Sequence, residues 1–199
     1  MLKRLDPLAQ LLDEIRSCRA CEPHLSHGAR PVLRASRTAR LAIISQAPGI
    51  RAHSTGLTFN DPSGDRLREW LKIDRETFYD ESRVAIVPMG FCFPGYDAEG
   101  GDRAPRKECA RIWRKRLFEE LPAFSLTLLV GSWAQAWHLG DRVKGTMTET
   151  VAAWRSYCPE FMPLPHPSWR NNAWLNKNPW FARELLPNLR TRVSAVLSA

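Results

Sequence analysis

The sequence predicts an α/β protein whose mainly parallel sheet is covered by helices on both faces. Four short apolar runs, at 41–45, 84–87, 126–130 and 161–164, read as strands, and several carry β-branched residues. These runs do not alternate with polar residues, which fits strands buried on both faces. Stretches with helical spacing separate them, and a strand–helix–strand rhythm gives parallel pairing.

The elements follow in order. Leu8, Leu11, Leu12 and Ile15 recur at helical spacing and predict a helix over 5–15, which leads into Cys18-Arg19-Ala20-Cys21. Residues 22–40, rich in Pro, His, Gly and Arg, read as an irregular basic loop. The first strand stops abruptly in Ser45-Gln46-Ala47-Pro48-Gly49. Pro48 fixes its own φ, and Gly49 can take backbone angles closed to other residues. A strand ending in such a turn exposes backbone N–H groups at its carboxyl end, where open α/β sheets hold ligands. Shortly after, Phe59 offers a flat aromatic face, and Asp61 and Asp65 offer carboxylates. A turn, a ring and an acid are the parts of a pocket for a planar polar ring.

Pro62 fits the first turn of a helix running to about residue 72, with Asp61 as its N-cap. The second strand ends at Pro88, and 91–106 is a long loop holding Cys92. The helix over 108–121 has a basic middle, in which Arg111, Arg114, Lys115 and Arg116 cannot share one face, so part of that charge is solvated. The third strand leads through Gly131 into a helix ending near residue 139. The fourth ends in Pro165-His166-Pro167-Ser168-Trp169-Arg170-Asn171, and a closing helix covers 179–197. No internal repeat or low-complexity segment interrupts the pattern.

The length of 199 residues suits one domain, 1–199, with a sizeable core. A formal charge of +8 and a pI of about 9.7 fit a polyanionic partner, and equally a merely basic soluble protein. No run of 18 apolar residues is present, which excludes a transmembrane helix. The start lacks a long apolar signal core. The expectation is therefore an intracellular, cytoplasmic and nucleoid-associated monomer. Five cysteines in that compartment suggest metal or catalysis before disulfides. Cys18, Cys21, Cys92 and Cys109 form a set of four soft donors, suited to zinc or to an iron–sulfur cluster. Separate buried cysteines are the other reading. Cys158 lies outside the set and reads as a small core residue.

Taken together, these blocks resemble the uracil-DNA glycosylase superfamily, especially its iron–sulfur-containing branches (families 4 and 5). The resemblance rests on the early Cys-x-x-Cys with two later cysteines, on the strand-end turn 45–49, on Phe59, and on His166-Pro167-Ser168. The extension Trp169-Arg170-Asn171 is similar to the His-Pro-Ser-Pro-Arg-Asn motif of the single-strand-selective branch. The likeness runs from about Cys18 to Trp180. It implies a three-layer α/β/α sandwich with a four-stranded, largely parallel sheet. It also implies cleavage of the N-glycosidic bond of uracil or another deaminated base in DNA, and a [4Fe-4S] cluster on the four cysteines, with zinc as the alternative.

By the same resemblance, the base stacks on Phe59 and sits against the turn Gln46-Ala47-Pro48-Gly49, which offers backbone donors. His166 steadies the charge growing on the leaving base. Asp61 handles water and the sugar cation. Ser168, Trp169, Arg170 and Asn171 meet DNA, with Arg170 entering the gap left by the extruded base.

Three departures qualify this. Ala47 stands where the efficient branch has an aspartate before the loop proline. Pro88, four residues before Cys92, stands where several branches place an asparagine that reads uracil. No histidine lies between Cys92 and Cys109, which argues against covalent trapping. Each residue also has a plainer reading: Phe59 and His166 as core, Asp61 as a helix cap only, Asp65 as a first-turn carboxylate, Trp169 and Arg170 as surface. At the level of the chain, the rivals are a DNA-binding module of this fold without catalysis and a zinc-bearing nucleic-acid protein unrelated to repair.

Overall fold

The structure is a computed structural model that describes residues 6–198. The expected start of the first helix at Leu5, and most of the segment read for a signal core, lie outside the described residues.

Four strands, β1 (Leu41–Ile44), β2 (Val84–Ile86), β3 (Leu126–Val130) and β4 (Phe161–Leu164), form one sheet in the order β2-β1-β3-β4. Every pairing is parallel, with Leu41 beside both Val84 and Leu126, and Leu128 beside Met162. Pro163, which cannot donate to a ladder, is confined to the edge strand β4.

The helices are α1 (Pro7–Arg16), α2 (Ile50–Thr55), α3 (Pro62–Leu71), α4 (Arg75–Tyr79), α5 (Lys107–Cys109), α6 (Lys115–Glu120), α7 (Ser132–Leu139), α8 (Met147–Ala152), α9 (Asn172–Lys177) and α10 (Leu186–Ser198). Successive strand residues point to opposite faces, and this splits the core in two. Leu41, Ile43, Ile86, Leu128 and Met162 pack with Leu67 and Leu71 of α3 and Leu189 and Val193 of α10. Ala42, Ile44, Ala85 and Leu129 pack with Leu12 and Ile15 of α1, Leu117 of α6 and Ala134 of α7. Helix, sheet and helix therefore form three layers, as expected.

The connection from β1 to β2 carries α3 on one face, and that from β2 to β3 carries α6 on the other. In the order β2-β1-β3-β4 the chain leaves β1 toward one edge and β3 toward the other, which opens a crevice beyond their carboxyl ends. None of the described helices is long and apolar enough to cross a membrane.

The reading of the sequence did not anticipate α2, α4, α8 and α9, each six residues or shorter. Such pieces span under two turns, too short for a periodic pattern. One of them had a local signal. Thr146 and Glu149 form a capping box at the start of α8. The helix expected over 108–121 begins at Lys107 and passes through a wider π turn, Ala110–Arg114, which turns Trp113 and Arg114 into the interior. A second π turn, Phe181–Leu185, precedes α10.

Candidate active site

The turn after β1 is tied to the segment after β2. Ser45 O accepts from Met89 N–H (2.7 Å), and Gln46 O accepts from Gly90 N–H (3.0 Å). Gly49 is the N-cap of α2. Phe59 has φ +54°, a left-handed conformation unusual outside glycine. Three contacts hold it there. The Tyr79 hydroxyl lies 2.9 Å from Thr58 O and 3.0 Å from Phe59 O, and Arg68 Nη1 donates to Phe59 O (3.3 Å). Gly64 lets the chain approach: a Cβ there would lie 1.7 Å from Phe59 O. Asp65 does not face a ligand alone; its carboxylate pairs with the buried Arg68 at 2.6 Å. Asp61 caps α3 as expected, its Oδ1 accepting from Gly64 N–H at 2.9 Å.

The loop after β4 is stapled from within. Ser168 N–H donates to His166 Nδ1 (3.2 Å), and the Asn171 amide donates to His166 O (2.7 Å). The Ser168 hydroxyl accepts from Arg170 N–H (3.3 Å), and Ser168 O accepts from Arg66 (3.2 Å). Burial holds the His166 pKa below the ordinary histidine value, against the opposing pull of Asp61. The ring is therefore neutral near pH 7. With Nδ1 accepting, its proton sits on Nε2, which makes that atom a donor. The Phe59 and His166 rings lie 6.5 Å apart, inclined by 28°.

These loops enclose an inner cavity of about 110 Å³, walled by Ser45, Pro48, Gly49, Thr58, Phe59 and Pro88. It adjoins a cleft of about 580 Å³ bordered by Gln46, Arg66, Trp169, Arg170 and Asn171. Ala47, Asp61, Asp102, His166 and Ser168 line both. The candidate residues from three separate stretches are thus brought to one place. Trp169 is 71% exposed at the rim. Arg170 is engaged: its Nη2 donates to Gly100 O (2.9 Å). Gln46 likewise donates to Arg103 O (3.2 Å), so both motif loops hold the loop 95–103 against the cleft.

Three residues escaped the reading of the sequence. Asp102 enters the cavity from that loop, and only its Gly100-Gly101 neighbours hinted at a tight turn. Thr58 was hidden beside Phe59. Arg114, which the sequence did not distinguish from the three other basic residues of its helix, is 3% exposed. Its Nη1 donates to Pro88 O (3.1 Å), its Nη2 lies 2.9 Å from His138 Nε2, and its Nε has no partner among the described residues.

Cys18, Cys21, Cys92 and Cys109 line a second cavity, walled by Pro31, Phe91, Ile112 and Trp113. Among the described residues, no three His, Cys, Asp or Glu side chains converge as a holder for one metal ion; the four thiols surround a shared space instead. Two N–H groups point at sulfur. Trp113 Nε1 is 3.3 Å from Cys18 Sγ, and Phe91 N is 3.3 Å from Cys109 Sγ. Burial pushes the Cys92 thiol up to about 11 and the Cys109 thiol up to about 12. Cys158 stands apart and packs against the core, as expected.

The first cavity can hold a planar ring against Phe59, with a neutral imidazole and carboxyl groups around it, at the carboxyl end of a parallel sheet. A family model described as the uracil DNA glycosylase superfamily matches residues 34–190, a span that holds every strand and both motif loops. The chain belongs to the uracil-DNA glycosylase superfamily.

Proposed function

We propose that this protein is a monofunctional glycosylase that hydrolyses the N-glycosidic bond of uracil or another deaminated base in DNA, without a covalent enzyme–DNA intermediate. The observation that carries this reading is the meeting of Phe59 and Asp61 with His166, from two stretches over 100 residues apart, around one cavity. The target base leaves the stack to reach that cavity and rests against Phe59. As the bond from C1′ to the base breaks, its electron pair goes to the base. Neutral His166 donates from Nε2 to a base carbonyl oxygen, where charge is growing. One Asp61 oxygen caps α3; the other holds water toward the sugar cation. Water adds to C1′ as its proton passes to Asp61. Trp169 and Arg170 lie at the duplex edge of the cleft, while Ser168 and Asn171 shape the loop that carries His166.

We also propose that Cys18, Cys21, Cys92 and Cys109 hold a [4Fe-4S] cluster, which supplies a staple between the segment after α1 and the loop before α5. The cavity fits such a group in two ways. Its sulfurs receive N–H donors, as cluster thiolates do. Arg114 is a buried cation with no carboxylate partner among the described residues, and the Cys109 sulfur lies near enough to act on its charge. A buried charge calls for an opposite one, and an anionic cluster provides it.

The test is a base-release panel on duplexes with a single uracil, hypoxanthine, xanthine or oxidised pyrimidine. Release of a deaminated base is expected. Tight binding with no release from any of them would favour a binding module, the reading that Ala47 and Pro88 suggest. Protein purified without oxygen should be brown, with on the order of four irons per chain; colourless protein with stoichiometric zinc would overturn the iron assignment.

A further inference from the structure

The inner cavity contains polar groups that the protein itself leaves unmatched. Thr58 is 2% exposed, and its hydroxyl has no partner among the described residues. Pro88 has no side-chain donor, and its carbonyl is taken by Arg114. Asp102 lies against the strand-end turn, where a Cβ on Gly49 would sit 3.6 Å from its Oδ2. Among the described residues no hydrogen bond holds its carboxyl, although Gln46 and Arg170 clamp the loop on either side of it. A carboxyl fixed by its backbone, free at its oxygens and facing a cavity for a flat polar ring is placed to pair with the edge of that ring.

We propose that Asp102, in its protonated form and with the Thr58 hydroxyl lining the same cavity, reads the lactam edge of the extruded base. This deepens the glycosylase reading of the site and rests on it. A neutral carboxyl has one O–H donor and one carbonyl acceptor side by side. That pair matches a ring carbonyl oxygen next to a ring N–H, the feature shared by uracil, hypoxanthine and xanthine. Ionised, the group offers acceptors only, and one of them opposes the ring carbonyl oxygen. A carboxyl kept neutral so that it can donate is an established device in enzyme sites.

The surroundings shift the Asp102 carboxyl toward the neutral form, although the residue keeps contact with solvent at the mouth of the cleft. Partial burial against the loop and turn raises the Asp102 carboxyl from its ordinary value, and the charges of Asp61 on the α3 cap and Asp97 in the same loop add smaller upward pulls. Arg170, from the turn after β4, opposes them. His166 completes the wall as a neutral ring, and Arg66 of α3 borders the outer cleft.

The sign of the pH dependence separates this role from water activation. A base reader that must be protonated loses activity as pH rises through its raised pKa; a carboxylate that must be ionised gains it. The experiment is single-turnover base release from uracil, hypoxanthine and xanthine duplexes over about pH 5 to 9, with melting curves for each protein. Wild type should show an alkaline fall. Asp102→Asn keeps a donor–acceptor pair at every pH, so it should remove that fall and exceed wild type on the alkaline side. Asp102→Ala should be about tenfold slower or more on the acid side, the scale of a lost hydrogen bond, with the gap to wild type closing as pH rises. If Asp102→Asn is as impaired as Asp102→Ala, or if both match wild type, the proposal is overturned while the glycosylase reading stands. If wild type releases no base at all, the glycosylase reading falls and takes this proposal with it.

Discussion

In the proposed mechanism, Asp61 serves local structure and chemistry together. It caps α3 through Oδ1, and the same carboxyl lines both the inner cavity and the cleft. Asp61→Asn separates the roles, because asparagine caps a helix about as well as aspartate. The variant should melt close to wild type, with base release down about 10²-fold, the scale of a positioned acid–base group. Release at the wild-type rate would leave Asp61 as a cap alone. Phe59 is a similar case. The plainer expectation of a core ring describes it, since it is 8% exposed and packs edge-on against Phe78, and the same ring walls the cavity in which the proposed base would stack.

At the scale of elements, the start of α3 is built around a single close approach. Gly64 touches the Phe59 carbonyl, so Gly64→Ala forces either the helix or the strained Phe59 to move. A loss of about 3 kcal/mol or more is expected from this overpacking. Unchanged denaturation midpoints would show that the two segments yield easily. A second device joins α7 to the π turn before α6. Burial and the adjacent Arg114 hold the His138 imidazole down to about 3. The unfolded chain, with its ordinary histidine value of 6.5, binds that proton more readily. Stability from this group is therefore intact above the ordinary value and is lost as pH falls from there toward about 3. Acid titration of the melting temperature should show the decline, and His138→Gln should make it shallower; identical slopes would rule out His138 as a source.

At the scale of the molecule, the charge of +8 should make DNA binding steeply salt-dependent through counterion release. Arg170 tests how the rim works. It sits over the exposed Trp169 ring and is tied to Gly100. Arg170→Ala should therefore impair lesion processing through the loop 95–103 more than it alters the salt slope. A slope lower by about one unit, with processing otherwise intact, would make Arg170 a phosphate contact.

The sequence by itself determined the layers and the motif loops. Four apolar runs buried on both faces admit little but a parallel sheet under two helical covers, and strand ends punctuated by proline and glycine place loops at one edge. The caps at Asp6, Asp61 and Asp74 are local events, each satisfied within its own turn. What only the tertiary structure decided are the facts that depend on segments far apart in the chain. Nothing within two residues of Asp102 shows that it shares a cavity with His166. Nothing near Arg114 shows that a π turn carries it inward to Pro88 and His138. A periodic pattern records which face of a helix is buried, but it cannot record which distant backbone carbonyl waits there. The charge of Arg114 and the carboxyl of Asp102 acquire their meaning only when folding removes water from one and crowds the other against a turn.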